Sequence, residues 1–586
     1  MFRKQISLVT VLFSLLMILF LLNARQIGAA TVISFTGEEL LGKPTDTSIT
    51  INIIPASNIE YYYEYGTSTG GPYTSTALHT ATGGQPDEVV LTGLSPNTRY
   101  YYRMRYHAPG EGSSDWITRD EHTFHTQRAE GETFTFTIIS DSHAMYNTQY
   151  QTAIGYIAED LPDFHMDLGD TFMTDNATSQ TTVNNAYLAQ REPLYMDAIG
   201  HSSPIFLASG NHENEEGWNL DDDFSIALAS IKARKAYFPT PVTDGFYTGN
   251  EDPLPAINAG TYGDQLREDY YAWEWGDALF VVFDPFQYTM ANPYGATAGE
   301  SSDDPATGDR WNWSLGQDQY YWLKETLENS DAKYKFMFAH HMLGGTQNYV
   351  RGGAVPAHMF EWGGYGVDGT TWEFAAKRTN DPEYGFEDPI RQLMIENDVT
   401  AFFHGHDHQY AYEVRDGIVY LSMPRPSTGL DFNYYDEADE YTERVISNAG
   451  YLRVTVGPTE ATAEYVRSST TGVSHEFVML PNIAGESHDL TMAVQPAGSG
   501  TTSPSAGVHA VAADSDVTVT AAANSGFEFD HWSGACSGSA ACVVTMDSDK
   551  SVTANFTSTG AELSDDVYTL LLGRPTDNSV TVNAVL

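Results

Sequence analysis

The sequence predicts a multidomain protein with an N-terminal all-β sandwich, a central domain of α/β layers and a small C-terminal β module. Three observations lead to this prediction. Residues 32–127 form short runs in which apolar and polar side chains alternate, as in half-buried strands. Residues 131–480 alternate apolar strand-like runs with helical stretches. Residues 487–556 are rich in Ala, Gly, Ser, Thr and Val.

The composition limits the classes of function. The 586 residues contain 29 Lys and Arg against 78 Asp and Glu, which gives a formal net charge of −49. Such a charge excludes binding of nucleic acid through a basic surface. It also repels anionic substrates unless bound cations reverse the field locally. The chain has room for about three or four domains.

The N-terminus predicts export. Arg3 and Lys4 precede an apolar run at 6–22, and small residues at 28–30 form a cleavage pattern. We therefore predict a signal peptide over residues 1–30, with an uncleaved anchor as the alternative. No second apolar run of about 18 residues follows, so we expect no membrane span after signal removal. The expected location is secreted or on the cell surface.

The N-terminal domain at 32–127 carries two aromatic-rich strand runs, 60–66 and 99–106. The stretch between them resembles the turn before the tyrosine corner of a fibronectin type III sandwich. The matching positions are Leu94, Pro96, Thr98 and Tyr100. The resemblance implies a spacing or docking module.

The central domain at 131–480 has a clear order of elements. Apolar strand-like runs lie at 134–139, 164–168, 205–208, 278–283, 334–339, 399–403 and 418–423. Candidate helices lie at 150–159, 317–329 and 389–397. This alternation predicts strands in sheets with helices outside them.

The C-terminal region, 487–556, resembles the divergent internalin-type B repeat of bacterial surface proteins, with Trp532 in its Gly526–Gly534 motif. Cys536 and Cys542 are six positions apart, and in an exported chain we predict a disulfide, with two free thiols as the alternative. The sequence at 40–52 recurs at 571–583. We expect residues 562–586 to be the truncated start of a second fibronectin-like module; the alternative is a tail that pairs elsewhere.

Five polar motifs each follow a predicted strand of the central domain. They are Asp141-Ser-His143, Gly169-Asp170, Gly210-Asn-His-Glu213, His340-His341 and Gly405-His-Asp-His408. In open α/β sheets, ligand sites form beyond the carboxyl ends of the strands. The five motifs are therefore expected to converge on one site.

The residue types of these motifs suit two divalent transition metal ions. Carboxylates, an amide and imidazoles are ligands for Fe, Mn or Zn rather than for Ca²⁺. Asp141 and His143 are two positions apart and can point to the same side, and His406 and His408 repeat this spacing. Asp170 can bridge two cations through its oxygens. Two divalent cations together with Asp141, Asp170 and a bridging hydroxide would leave the site positive by about one unit, as a phosphate ester requires in so acidic a protein.

With these five blocks in order, the chain resembles the calcineurin-like metallophosphoesterase superfamily. Within it, the chain is most similar to purple acid phosphatase-like enzymes that carry an N-terminal fibronectin-like module. The resemblance implies an α/β/β/α sandwich for residues 131–480. It also implies the ligands: Asp141, His143 and His408 for the first metal, Asn211, His340 and His406 for the second, and Asp170 as the bridge.

Two positions depart from purple acid phosphatases. Those enzymes have Gly where this chain has His143, and Tyr where it has Met173. Without the tyrosinate, a divalent metal pair is favoured over a mixed-valent Fe(III) centre. The doublet at 340–341 leaves a choice of ligand, which the resemblance resolves in favour of His340.

The resemblance implies an exported phosphoesterase that hydrolyses phosphomonoesters or phosphodiesters by attack of a metal-bridging hydroxide. We predict His212 as the proton donor to the leaving group, or as an oxyanion stabiliser, with Glu213 orienting its imidazole. Arg351 and His341 are further candidates for substrate binding.

Two other functions compete with this prediction. The aromatic-rich segment 214–313, which includes Trp273, Trp275, Trp311 and Trp313, could make the enzyme a nucleotide- or phospholipid-specific phosphodiesterase by stacking a base or holding a lipid. Alternatively, the chain is a cell-surface adhesion or matrix protein. Its flanking β modules would then contact surface or matrix partners, and the central domain would be a scaffold.

Overall fold

The computed structural model describes most of the chain. The described residues are 31–111, 116–145, 147–191, 196–220, 224–291, 310–341, 352–379, 385–427, 441–446, 449–468, 472–482, 487–513, 515–559, 569–573 and 581–585. The predicted signal peptide, 1–30, and Arg351 lie outside them. Within the described ranges, no helix combines the length and the apolar character needed to cross a bilayer.

The N-terminal domain is a sandwich of two antiparallel sheets. Its strands are β1 (Leu40–Gly42), β2 (Ser48–Ile53), β3 (Ile59–Gly66), β4 (Thr74–Ser75), β5 (His79–Ala81), β6 (Asp87–Thr92), β7 (Arg99–His107), β8 (Ile117–Thr118) and β9 (His122–His125). One sheet has the order β1-β2-β6; in the other, β3 and β7 pair centrally, with β4 and β5 on β3 and β8 and β9 on β7. The Tyr100 hydroxyl accepts a 2.9 Å hydrogen bond from the backbone N–H of Ser95, a contact typical of a tyrosine corner.

The central domain contains fourteen described strands. They are β10 (Phe134–Ile139), β11 (Phe164–Asp167), β12 (Ile205–Leu207), β13 (Thr248–Gly249), β14 (Tyr271–Trp275), β15 (Ala278–Val282), β16 (Tyr334–Ala339), β17 (Ala401–His404), β18 (Tyr410–Arg415), β19 (Ile418–Ser422), β20 (Thr442–Ile446), β21 (Gly450–Val456), β22 (Ala461–Arg467) and β23 (Val473–Met479).

The helices of the central domain lie between these strands. The α-helices are α1 (Thr148–Asp160), α2 (Gln180–Ala189), α3 (Met196–Ile199), α4 (Ile226–Tyr237), α5 (Ala259–Tyr262), α6 (Gly316–Glu328), α7 (Phe360–Gly363) and α8 (Ile390–Glu396). Short 3₁₀ turns lie at Asn211–Glu213, Gly217–Asn219, Arg310–Asn312 and Pro356–His358, and a π-helical turn at Ala375–Thr379.

These elements form four layers. One sheet has the strand order β12-β11-β10-β21-β22-β23, and the other β13-β14-β15-β16-β17-β19-β18-β20. The inner faces pack together through aromatic side chains such as Phe136, Phe280 and Phe336. Helices α1, α2 and α4 cover the outer face of the first sheet, and α6 and α8 that of the second. The predicted α/β/β/α sandwich is confirmed.

The C-terminal module is a separate β unit. Its strands are β24 (Ser487–Gln495), β25 (Gly500–Ser503), β26 (Gly507–Ala512), β27 (Asp516–Ala523), β28 (Phe527–Gly534), β29 (Cys542–Thr545) and β30 (Lys550–Ser558). They form two sheets, β26-β24-β30-β28 and β25-β27-β29, around a small core that includes Trp532. Cys536 and Cys542 form the predicted disulfide. Beyond the module, β31 (Thr569–Gly573) and β32 (Thr581–Val585) form an antiparallel pair.

The N-terminal sandwich docks on the central domain through a buried arginine. Arg191 is 1% exposed, and its guanidinium donates to Asn52 Oδ1, to the Asn52 carbonyl at 3.1 Å and to the Tyr237 carbonyl at 2.5 Å. The Tyr102 hydroxyl also donates to the His201 carbonyl at 2.8 Å. Because a guanidinium satisfies several acceptors at once, Arg191 joins the sandwich to the layer that carries α4.

An Arg191→Met variant should lose about 3 kcal/mol of unfolding free energy, because it leaves buried acceptors without a donor. Urea unfolding would measure the loss. Arg99→Met is the control, since Arg99 is only half-buried and makes one 3.5 Å hydrogen bond to Thr123. Equal losses in the two variants would contradict the role given to Arg191.

Candidate metal centre

The candidate site lies where the carboxyl ends of two sets of parallel strands meet. Strands β10, β11 and β12 are parallel neighbours in the first sheet, and β15, β16, β17 and β19 in the second. Each of the five polar motifs begins within four residues of the end of β10, β11, β12, β16 or β17. Since the two sheets face each other, their strand ends deliver all five motifs to one edge of the sandwich.

One cluster of donor atoms forms around Asp141. Asp141 Oδ1 lies 3.2 Å from His408 Nε2 and 3.7 Å from His143 Nε2. The same His143 nitrogen lies 3.5 Å from Asp170 Oδ2. The four residues could hold one cation, because their ligand atoms all lie within 4.8 Å of one another.

A second cluster forms on the other side of Asp170. His340 Nε2 lies 3.2 Å from Asp170 Oδ2 and 3.2 Å from Asn211 Oδ1. His406 Nδ1 lies 2.7 Å from the same amide oxygen and 3.3 Å from His340 Nε2. Asp170 Oδ2 is therefore shared by both clusters. All seven side chains expected from the sequence as metal ligands meet at this edge.

The chemistry of the donor set fits cations. Among the described residues, Asp141 Oδ1 and His143 Nε2 are buried and have no hydrogen-bond partner, although other lone-pair atoms surround them. Such buried atoms are costly unless a cation or a proton compensates them. Two carboxylates, an amide oxygen and four imidazoles are a donor set that divalent transition metals accept.

The pKa values of the carboxylates and imidazoles in the two clusters also fit a site for cations. Burial raises the pKa of Asp141 and of Asp170, but the imidazoles around them outweigh it and hold both pKa values well below the usual range. Burial lowers the pKa of His340, yet the charges of Asp170 and Asp141 raise it to about 10. Burial and the charge of His340 lower the pKa of His406 to about 3. The carboxylates are thus held ionised inside the protein.

The backbone at the candidate ligands is strained. Five of the seven candidate residues have a positive φ: Asp141 (57°), His143 (48°), Asp170 (56°), His406 (70°) and His408 (56°). This left-handed conformation is uncommon outside glycine and costs of order 1–3 kcal/mol per residue. It turns the chain sharply after β10, β11 and β17. Asp141 and His143 thereby share a cluster, whereas His406 and His408, also two positions apart, lie in different clusters.

Gly405 allows the closest approach of two ligand loops. A Cβ atom at this position would lie 1.9 Å from Ser140 Oγ and 2.7 Å from Asp141 Oδ2. Only a residue without a side chain lets the loop after β17 pass against the loop after β10. The neighbouring backbone N–H of His406 then donates to Asp141 Oδ2 at 2.9 Å. The glycine thus holds one ligand of each cluster in place.

Glu213 joins the remaining two loops. Its buried carboxylate accepts from the backbone N–H groups of Gly210 (2.7 Å), Asp170 (3.0 Å), Thr171 (2.8 Å) and Phe172 (2.7 Å). Burial and the charge of Asp170 raise the pKa of Glu213 to about 7, against donors that favour the ionised form. Glu213 therefore fixes the Asp170 loop to the Asn211 loop.

His212 stands beside the two clusters without joining them. Its Nε2 lies 3.8 Å from Asp170 Oδ2, and its Nδ1 donates to Asp175 Oδ1 at 2.7 Å. The side chain is 31% exposed. Burial lowers the pKa of His212, but the hydrogen bond to Asp175 and the charge of Asp170 raise it to about 9. The prediction that Glu213 orients this ring is wrong, because the Glu213 carboxylate is taken up by backbone N–H groups and Asp175 does the orienting.

The other predicted substrate residues are placed differently. His341 is buried, with its ring 5.1 Å from the Trp313 ring and 4.4 Å from the His406 ring. Arg351 lies outside the described residues. Four of the five Trp of segment 214–313 are packed in the two cores with at most 6% exposure: Trp273, Trp275, Trp311 and Trp313.

One residue beside the site was missed from the sequence. The Arg425 Nη2 atom lies 3.1 Å from His143 Nδ1 and 3.2 Å from His408 Nε2. Arg425 follows β19, which is a parallel neighbour of β17. A search for polar residues after parallel strands could therefore have found Arg425, but a single arginine forms no recognisable motif. Asp175 was missed because a single aspartate likewise forms no motif.

Comparisons with known proteins agree with this architecture. The fold is similar to that of purple acid phosphatase PPD1 from seeds of yellow lupin (Lupinus luteus), with a TM-score of 0.50 and 16% identity over 76% of this chain and 74% of that chain. It is also similar to PhoD, with a TM-score of 0.53 and 16% identity over 79% of this chain and 94% of that chain. The fold predicted for the central domain is therefore the one it shares with these two proteins.

The C-terminal module matches a protein-family model. Residues 490–560 match the model of the divergent InlB B-repeat domain, so the predicted resemblance of the C-terminal region is confirmed. No curated protein sequence matches the chain significantly.

The role of Glu213 can be tested by Glu213→Gln. An amide group would face backbone N–H donors, so we expect a loss of about 3 kcal/mol in unfolding free energy, measured in urea. Glu216→Gln is the matched control. Glu216 is also buried, but its side chain accepts from one side-chain donor, Asn219 Nδ2 at 2.8 Å, rather than from four backbone N–H groups, so glutamine is a close substitute. A loss in Glu216→Gln as large as in Glu213→Gln would remove the special role of Glu213.

Proposed function

We propose that this protein is an exported, binuclear metal-dependent phosphoesterase that hydrolyses phosphomonoesters or phosphodiesters. One observation carries the proposal: two donor clusters share Asp170 Oδ2, which lies within 3.5 Å of an imidazole nitrogen of each cluster. A carboxylate oxygen between two sets of neutral nitrogen ligands is what a pair of adjacent cations requires. Two such metals are the usual device for displacement at phosphorus.

The chain offers a complete set of ligands for this purpose. Asp141, His143 and His408 would hold one ion, Asn211, His340 and His406 the other, and Asp170 both. When bound, two divalent metals activate water near neutral pH and take up charge from the phosphate oxygens. Fe, Mn and Zn all suit these ligands. In a chain with a formal net charge of −49, this local positive charge is also what admits an anionic substrate.

His212 would supply the proton for the leaving group. Asp175 accepts from His212 Nδ1 at 2.7 Å, which fixes the ring and leaves Nε2 on the side of Asp170. A proton held at Nε2 can pass to the oxygen of the departing alcohol. The side chain is partly exposed, so a substrate can reach it.

The alternative functions have less support. Four of the five Trp of segment 214–313 are buried in the two cores, so they offer no stacking surface for a base or a lipid. The fifth, Trp218, is half-buried and packs against the second core, with its ring 5.9 Å from that of Trp313. An inert scaffold would gain nothing from burying two carboxylates among four imidazoles, which costs desolvation free energy. The disulfide and the B-repeat module favour export and a location outside the cell, with contacts to surface or matrix partners through the flanking modules.

Metal stoichiometry tests the shared-carboxylate arrangement. Protein loaded with Mn²⁺ or Zn²⁺ and then dialysed should contain two ions per chain by elemental analysis. His408→Ala and His340→Ala should each retain one ion, because each removes a ligand from one cluster. Asp170→Asn should weaken both sites, since it removes the negative charge they share. His79→Ala, in the N-terminal sandwich, is the control. One ion in the wild-type protein would contradict a binuclear site.

The role of His212 can be separated from metal chemistry by the choice of leaving group. His212→Ala should lower kcat for an alkyl phosphate about 10²–10⁴-fold, and far less for p-nitrophenyl phosphate, because p-nitrophenolate leaves without a proton. Steady-state kinetics on both esters would measure this. Asp175→Asn should reduce the alkyl rate less, since the imidazole remains. Equal losses on both esters would assign His212 to oxyanion stabilisation instead. No metal-dependent turnover of any ester, p-nitrophenyl or alkyl, would reject the proposed function.

A further inference from the structure

We propose that Arg425 is the phosphate-binding cation of this site and that it is held on two of the metal ligands until metal binds. The inference rests on the proposed function and adds a substrate class to it, phosphomonoesters. It starts from the contacts of one guanidinium nitrogen. Arg425 Nη2 lies 3.1 Å from His143 Nδ1 and 3.2 Å from His408 Nε2.

Those contacts compete with metal binding at His408. A neutral imidazole has one nitrogen with a free lone pair, whereas a guanidinium can only donate. His408 Nε2 is the atom nearest Asp141 Oδ1, at 3.2 Å, and is thus the atom that faces the first cluster. A cation and the Arg425 N–H cannot use the same lone pair. Metal at this position therefore removes one acceptor from Arg425.

The contact with His143 is lost for a related reason. His143 Nε2 faces the carboxylates, at 3.7 Å from Asp141 Oδ1 and 3.5 Å from Asp170 Oδ2. If that nitrogen binds a cation, the ring proton must reside on Nδ1. Nδ1 is then a donor and can no longer accept from Arg425. Loading the first cluster thus takes away both imidazole acceptors of Nη2.

The backbone keeps the guanidinium near the site after these contacts are lost. Arg425 stands between Pro424 and Pro426, which restrict the backbone on both sides. The N–H of Met423 donates to the His404 carbonyl at 2.8 Å, and the Ser427 carbonyl accepts from the Asn147 side chain. Both ends of the short segment are therefore tied to the central domain. These ties keep Arg425 beside the first cluster.

A phosphate oxygen is the acceptor that suits a guanidinium in this position. Arginine binds phosphate oxygens in a planar, often bidentate geometry, and it stays charged at all working pH values. A phosphomonoester has three non-bridging oxygens, and a phosphodiester has two. If each of two cations takes one oxygen, only the monoester leaves a third for Arg425. The residue should therefore favour monoesters over diesters.

The test uses the full chain loaded with metal and inorganic phosphate as the probe. Calorimetry should find that Arg425→Gln weakens phosphate binding about 10- to 100-fold, the usual range for a charge-assisted hydrogen bond. The affinity of the Arg425→Gln variant for Mn²⁺ or Zn²⁺ should stay the same or rise, because the guanidinium no longer competes with the metal for two imidazoles. Arg425→Lys should recover part of the phosphate affinity. Arg391→Gln, which removes a cation paired with Asp416, is the control.

Two outcomes would overturn the inference. Unchanged phosphate affinity in Arg425→Gln means that Arg425 does not contact the anion. Parallel losses of metal and phosphate affinity mean that Arg425 only supports the ligand loops. In kinetics, kcat/KM for p-nitrophenyl phosphate should fall at least 10-fold more than for bis(p-nitrophenyl) phosphate. Should the wild-type protein bind metal and phosphate without hydrolysing either ester, the proposed function fails, while the binding measurements still decide the role of Arg425.

Discussion

The sharing of one buried carboxylate oxygen by two groups of imidazoles is the constraint on which the rest of the central domain depends. Asp170 Oδ2 lies 3.5 Å from His143 Nε2 and 3.2 Å from His340 Nε2, in a place that water barely reaches. So many acceptor atoms cannot be buried side by side unless positive charge lies among them. A fold that brings them together must therefore hold its loops firmly, and among the described residues the strand ends, Gly405 and Glu213 do this.

The strain in the ligand loops shows how this is achieved. Left-handed backbone at five ligand residues is unfavourable locally and persists only because the surroundings fix it. Strands on both sheets end at the site, Gly405 lets two loops touch, and Glu213 ties two others together. The aromatic core between the sheets provides the stability that offsets the strain. A rigid, preorganised set of donors is the result, as tight binding of cations requires.

Much of the fold and of the candidate site could be predicted from sequence. The seven predicted strands and three predicted helices of the central domain match observed elements to within two residues at each end. These segments are strongly apolar or strongly periodic, so local pattern decides them. Helices α2 and α4 were missed, as were the antiparallel strands β21–β23. Their weaker patterns become ordered by packing against the first sheet.

The sequence by itself determined which residues are candidates for the site and that they follow strand ends, because residue type and hydrophobic period are local properties. Only the tertiary structure decided that Asp170 lies between two clusters, that Asp175 rather than Glu213 holds the His212 ring, and that Arg425 reaches the site. These facts depend on contacts between residues that are 27 to 282 positions apart in the chain, from Asp170–His143 to Arg425–His143. Long-range contacts of this kind are fixed by how two sheets pack, which no local pattern records.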